Sequence, residues 1–286
     1  MLKPTFDYHD ARGLRNLILR NVKETADPDG KNYILLSGGI DSIVIVYAFM
    51  ELVIPFKVVN FYFDGMPCKD TDSVRAFQQA SGIDVQYVAI PNVLENDCMP
   101  RIYDAVKQCR RIYQRIRKVK VETIYALQYT KEQLANDWTV FTGAGGGNLC
   151  CYSQQVAHII SILGEEHPEV YAFRHRIYDD GDETINDEFA DVFSDMKYSA
   201  PLDEMNVVNY CGNFTFRSLN SRFPKSCLVY AFGDYFKKYK NARKPVAFQK
   251  ACNEDILFEQ LAQRYGYKSA LLWFSSIDKQ QRGKVK

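Results

Sequence analysis

The 286-residue chain has few of the features that would place it in a membrane, outside the cell or around a metal. No apolar run approaches the roughly eighteen residues needed to cross a bilayer, and "MLKPTFDYHD" lacks the basic-then-apolar order of an export signal. The eight cysteines (Cys68, Cys98, Cys109, Cys150, Cys151, Cys211, Cys227 and Cys252) include no CxxC pair. That spacing argues against zinc and, with no export signal, for a reduced thiol set in the cytoplasm. His9, His158, His167 and His175 are too dispersed for a local ligand pair. Thirty-six basic residues stand against 35 acidic ones, a formal charge of +1. No overall field therefore draws the chain to nucleic acid or to an anionic membrane.

What the chain does have is alternation. Residues 10–25 carry Leu14, Leu17, Ile18 and Val22 at helical spacing, and "DPDGK" ends that helix. "YILL" reads as a buried strand and "SIVIVYAFMEL" as a helix. "FKVVNFYF" is a strand, "TDSVRAFQQASG" a helix stopped by Gly82, and "VQYVAI" a strand. A long helical stretch containing "KQCRRIYQRIRKVK" precedes a fourth strand, "WTVF". Strands alternating with helices imply an α/β fold, a parallel twisted sheet with helices on both faces. Beyond about residue 155 the segments read mainly as helices, with "VYAFRHRIY" open between strand and helix. The expected division is a nucleotide-binding α/β portion, 1–155, and a mainly helical substrate-binding portion, 156–286, packed on it.

Between the first strand and helix stands "LLSGGIDS". A glycine turn at a helix N-terminus aims backbone N–H groups and the positive helix end at one point, which suits a phosphate. Ser37 and Ser42 add hydroxyls, and Gly38 and Gly39 allow close approach. Asp41 is out of place in an anion site unless a cation accompanies the anion, and magnesium on nucleotide phosphates fits. Asp41 as a simple helix cap is the plainer alternative. No G-x-x-x-x-G-K-[ST] occurs, and "GAGGGN" after "WTVF" has Asn148 where a dinucleotide fingerprint needs its third glycine.

The SGG-x-DS pattern resembles the PP-loop of the N-type ATP pyrophosphatases. "VETIYALQYTKEQLANDWTVFTGAGGGNL" resembles the asparagine-synthetase branch, whose strand ends in T-G-E-G-A-D-E-L. "NSRFPKSCLVYAFGDYF" is similar to that branch's R-x-P-F segment through Arg222, Phe223, Pro224, Leu228, Val229 and Ala231, and "RYGYKSALLWF" to its R-x-K-x-G-F stretch. The resemblance implies an adenine nucleotide alpha hydrolase-like fold binding ATP and Mg²⁺. It implies that Ser37, Gly38, Gly39, Asp41 and Ser42 hold the pyrophosphate, with Asp41 on the metal. Phe63, Gly143 and Gly145 would lie by the nucleotide. A catalytic lysine is expected downstream of the R-x-P-F segment, and Lys244 is the choice among Lys225, Arg243, Lys244 and Lys250. The implied reaction activates a carboxylate as its AMP ester with release of pyrophosphate, then passes it to a nitrogen nucleophile.

Two departures stand out. The carboxylates of T-G-E-G-A-D-E-L are replaced by Ala144, Gly147 and Asn148, so Asp64 or the cluster Asp179, Asp180, Asp182 and Glu183 would have to substitute, or the metal would rest on Asp41 and phosphate. About thirty residues precede the turn, too few for a glutaminase domain. Nitrogen would come from ammonia, a separate ammonia donor or an amine substrate. Loss of the acids also leaves open a non-catalytic ATP-binding protein. The basic run of residues 107–120 leaves open a PP-loop enzyme that modifies tRNA or DNA bases, although a surface helix is the simpler reading. Sulfur chemistry at Cys150 and Cys151 finds no supporting spacing, and His175 reads as structural.

Overall fold

The structure, a computed structural model, describes residues 2–95, 97–149, 154–174, 187–239 and 254–283. Five parallel strands form one sheet in the order β3-β2-β1-β4-β5: β1 (Asn32–Leu35), β2 (Lys57–Phe63), β3 (Val85–Ile90), β4 (Thr139–Phe141) and β5 (Lys197–Ser199). Register is set by pairs such as Ile34 with Val58, Tyr33 with Val140 and Phe141 with Ser199. Successive strand residues face opposite ways. Ile34 and Val58 join one hydrophobic core, while Tyr33, Leu35, Val59 and Val140 join the other.

The first core is covered by α1 (Tyr8–Thr25), α2 (Ile40–Leu52) and α3 (Lys69–Ser81), which run in the expected places. Asp7 caps α1 by accepting from the Asp10 N–H at 2.9 Å, while the Asp7 N–H donates to the Asp10 carboxylate at 3.0 Å. Leu14, Ile18 and Val22 are fully buried along one stripe of α1. Helix α2 is apolar around most of its circumference, and its residues 43–49 are all buried, as such a helix must be. Gly82 ends α3 in the left-handed conformation, φ +72°, as its sequence position predicts.

The second core is covered by α4 (Met99–Tyr113) and α5 (Lys118–Lys131), which replace the single long helical stretch expected here. Gln114 turns left-handed at φ +55° and breaks the ladder, so both helices lie on the same face of the sheet. The second half departs further from the expected division. After α6 (Gly146–Leu149), α7 (Gln154–Leu163), α8 (Pro168–Arg174) and α9 (Asp187–Val192), strand β5 joins β4 in the sheet. A boundary at residue 155 therefore cuts through the sheet. The described part of "VYAFRHRIY" is helical, within α8.

The remaining helices are α10 (Met205–Gly212), α11 (Phe216–Leu219), α12 (Ser226–Ala231), α13 (Gly233–Tyr239), α14 (Glu254–Arg264) and α15 (Ala270–Gly283). Residues of α10, α12 and α13 complete the first core, and residues of α9, α14 and α15 the second. The chain is thus an α/β fold with helices on both faces and a helical C-terminal part. No helix among the described residues is long and apolar enough to cross a membrane. Cys68 is disulfide-bonded, which corrects the expectation of a wholly reduced thiol set, while Cys98, Cys109, Cys211 and Cys227 are buried thiols outside any disulfide.

Candidate functional site

The connections leaving β1 and β4 run to opposite sides of the sheet, opening a crevice at the carboxyl ends of these two strands. A cavity of about 340 Å³ lies there, bordered by Leu36, Ser37, Asp41 and Ser42 from the first turn and by Thr142, Gly143 and Ala144 from the second. Its far wall carries Lys120, Thr123, Glu188 and Phe189, with Asn60 and Phe61 from within β2.

The first turn is a closed polar loop. Ser42 Oγ donates to the Gly39 carbonyl at 3.1 Å and accepts from the Ser37 N–H at 3.2 Å, and the Gly39 N–H donates to Ser37 Oγ at 3.3 Å. Gly38 has φ +72°, and an added Cβ would lie 2.7 Å from the Ser73 Cβ and 3.2 Å from the Asp70 carbonyl. Only glycine satisfies both the torsion and the fit. Gly39 is the N-cap of α2 and brings no side chain to cap it, so the N–H groups of the first helical turn keep no side-chain acceptor. Asn60, almost fully buried, donates to the Leu36 carbonyl at 2.9 Å and accepts from Thr71 Oγ1 at 2.9 Å. It thereby ties the start of the turn to β2 and α3.

The second turn lies against the first. An added Cβ on Gly143 would come 2.5 Å from Ser42 N and 2.6 Å from Asp41 C, and one on Gly146 would collide with the Asp41 carboxylate. Gly145, at φ +88°, is likewise pressed against Asp203, in the turn that follows β5. Thr142 Oγ1 is hydrogen-bonded to Tyr198 Oη at 2.9 Å, and burial pushes the Tyr198 phenol well above its usual range. Gly145 and Gly146 are thus needed because carboxylates from elsewhere in the chain pack on them, and Gly143 because the backbone of Asp41 and Ser42 does.

Of the residues expected from sequence, Ser37, Gly38, Gly39, Asp41, Ser42, Gly143 and Gly145 come together here. Phe63 does not: it is fully buried in the second core against Tyr125 and Phe258, and Phe61 borders the cavity in its place. Asp64 is exposed, with its carboxylate accepting from the Gly65 N–H at 3.0 Å. Lys244, Arg243, Lys250, His175 and the acidic cluster at 179–183 lie outside the described residues.

The lysine that does reach Asp41 is Lys225, whose ammonium pairs with Asp41 Oδ2. Across the cavity, the Lys120 ammonium lies 2.6 Å from Glu188 Oε1, and Tyr113 Oη donates to the other oxygen of Glu188. Glu188 was not legible in the sequence, because 68 residues separate it from Lys120. Lys120 was visible only as one charge in a basic run.

That run is largely engaged within the fold. Arg111 pairs with Asp191 at 2.6 Å, Lys118 with Glu259 at 2.5 Å and Lys120 with Glu188, while Arg117 stands over the Tyr113 ring.

The donor set does not fit a protein-held magnesium ion. Asp41 Oδ2 is taken by Lys225, and Oδ1 is buried beneath Gly146 with no hydrogen-bond partner. The described residues hold no group of three or more His, Cys, Asp or Glu side chains placed for a metal. Compared with known proteins, the chain matches no family model, and no significant match was found among curated proteins.

Proposed function

We propose that the chain binds ATP in this crevice and uses it to adenylate a small substrate. The observation that carries the reading is the pairing of a glycine turn with a helix N-terminus that no side chain caps, opening on a cavity at the switch point of a parallel sheet. The pyrophosphate part of ATP would occupy the Ser37–Ser42 turn, accepting from backbone N–H groups and the two serine hydroxyls. The nucleoside would lie toward Leu36, Asn60 and Phe61. Lys120 and Glu188 on the far wall offer one cation and one anion to the acceptor.

The choice of adenylation rests on the resemblance to the asparagine-synthetase branch of the PP-loop enzymes. A substrate carboxylate oxygen attacks the α-phosphorus, the bond from that phosphorus to the bridging oxygen breaks, and pyrophosphate leaves into the turn. Ammonia or an amine then displaces AMP to give an amide. The N–H donors and the helix end stabilise charge as it develops on the leaving group. ATP is plentiful in the cytoplasm, where this reading places the protein.

The test is detection of pyrophosphate from ATP across a panel of carboxylic acids and amines, in the wild type and in Ser42→Ala. Substrate-dependent pyrophosphate that drops on substitution supports the reading. Orthophosphate in its place overturns it, and ATP binding without pyrophosphate release makes the chain a nucleotide-binding protein instead.

A further inference from the structure

An aspartate inside an anion-binding turn poses an electrostatic problem, since a carboxylate and a phosphate a few ångströms apart repel. Lys225 answers it from outside the cavity. Its ammonium pairs with Asp41, which borders the cavity, yet Lys225 itself does not. Its side chain is only 8% exposed, so its charge has been withdrawn from water. Its backbone is left-handed, φ +64° and ψ +26°, a conformation that side-chain-bearing residues disfavour.

Neighbouring groups hold it there. The Lys225 N–H donates to Asn220 Oδ1 at 2.7 Å, and the Lys225 carbonyl accepts from the Leu228 N–H at 3.1 Å. Desolvation and backbone strain thus coincide at one residue, whose ammonium meets the acid of the glycine turn. The facing loop adds no acid, having Ala144 and Gly147, and Asp41 Oδ1 is sealed under Gly146.

We propose that Lys225 is a built-in counter-ion: by neutralising Asp41 it lets the glycine turn bind a polyphosphate without a divalent cation at the aspartate. This rests on the phosphate-binding reading of the turn, and the ligand class is inorganic pyrophosphate or the polyphosphate chain of a nucleotide. Lys225 acts through Asp41 and is therefore a positioning residue. Its replacement should be answered by changes in charge at Asp41 or by added metal, which the loss of a merely structural residue would not be.

The experiment is calorimetric titration with inorganic pyrophosphate, in EDTA and in Mg²⁺. The proteins are the wild type, Lys225→Met, and the double variant Lys225→Met with Asp41→Asn, each checked for folding by circular dichroism. The wild type should bind in EDTA. Lys225→Met should bind about tenfold or more weakly in EDTA, because a bare carboxylate now faces the anion, and should recover in Mg²⁺. The double variant should recover in EDTA, and because it removes both charges of the Lys225–Asp41 pair it remains informative if the single variant fails to fold. Wild-type binding that requires Mg²⁺ overturns the counter-ion while leaving the phosphate site standing, as does a double variant no better than Lys225→Met. Absence of pyrophosphate and ATP binding to the wild type in both media overturns the phosphate site, and the counter-ion with it.

Discussion

Glu122 is fully buried on α5, and neither of its carboxylate oxygens has a hydrogen-bond partner. Lys118 lies 3.8 Å away but directs its ammonium to Glu259 at 2.5 Å. Burial pushes the Glu122 carboxyl from 4.5 up to about 8. The folded state then holds this proton more tightly than the unfolded chain. The contribution is fully present below pH 4.5 and is lost as the pH rises through about 8. Chemical denaturation across that range should show stability falling by on the order of a few kcal/mol from this group. Glu122→Gln should flatten the fall, and equal slopes in both proteins would refute the assignment.

Two glycines of the second turn make a matched pair at the same scale. Gly143→Ala would press a methyl against the backbone at Ser42 and Asp41, which cannot yield cheaply, whereas nothing lies within 4 Å of a Cβ on Gly147. Gly143→Ala should cost about 1–3 kcal/mol, and Gly147→Ala should stay within about 0.5 kcal/mol of wild type, both read by denaturant titration.

At the scale of elements, α2 was legible because an apolar run after a glycine turn has to be a buried helix. Its end was not. Val53 closes it in the left-handed conformation, φ +55° and ψ +33°, with 86% of its surface exposed. A β-branched residue disfavours that torsion, and an exposed one gains little from burial to offset it. Val53→Gly should therefore raise stability by about 1 kcal/mol, measurable as an increase in melting temperature. Helices α4 and α5 show the opposite limit. Their basic residues read as one charged stripe because local spacing does not reveal Gln114's turn or the acids of α9 and α14, which arrive from distant sequence.

At the scale of the molecule, the second core joins Leu35, Val59 and Ile124 to Phe193, Phe258, Trp273 and Phe274. The early strands are thus covered by the last helices, and β5 extends the sheet beyond β4. A fragment of residues 1–155 would expose that apolar surface and leave β4 as an edge. It should show no cooperative thermal transition, while a fragment that melts like an independent domain would restore the division expected from sequence.

Hydrophobic period, turn residues and the glycine motif are local, and they determined the alternation of strands and helices, the parallel α/β class and the position of the first turn. Side-chain pairing is not local. Tertiary structure decided that Gly143, Gly145 and Gly146 serve as a seat for Asp41 and Asp203, that Phe63 belongs to the core and Phe61 to the cavity, and that the cation beside Asp41 is Lys225. The reason is one of range. A chain reports burial and torsion preference every few residues, whereas the charge that Asp41 meets is set by a lysine 184 residues away.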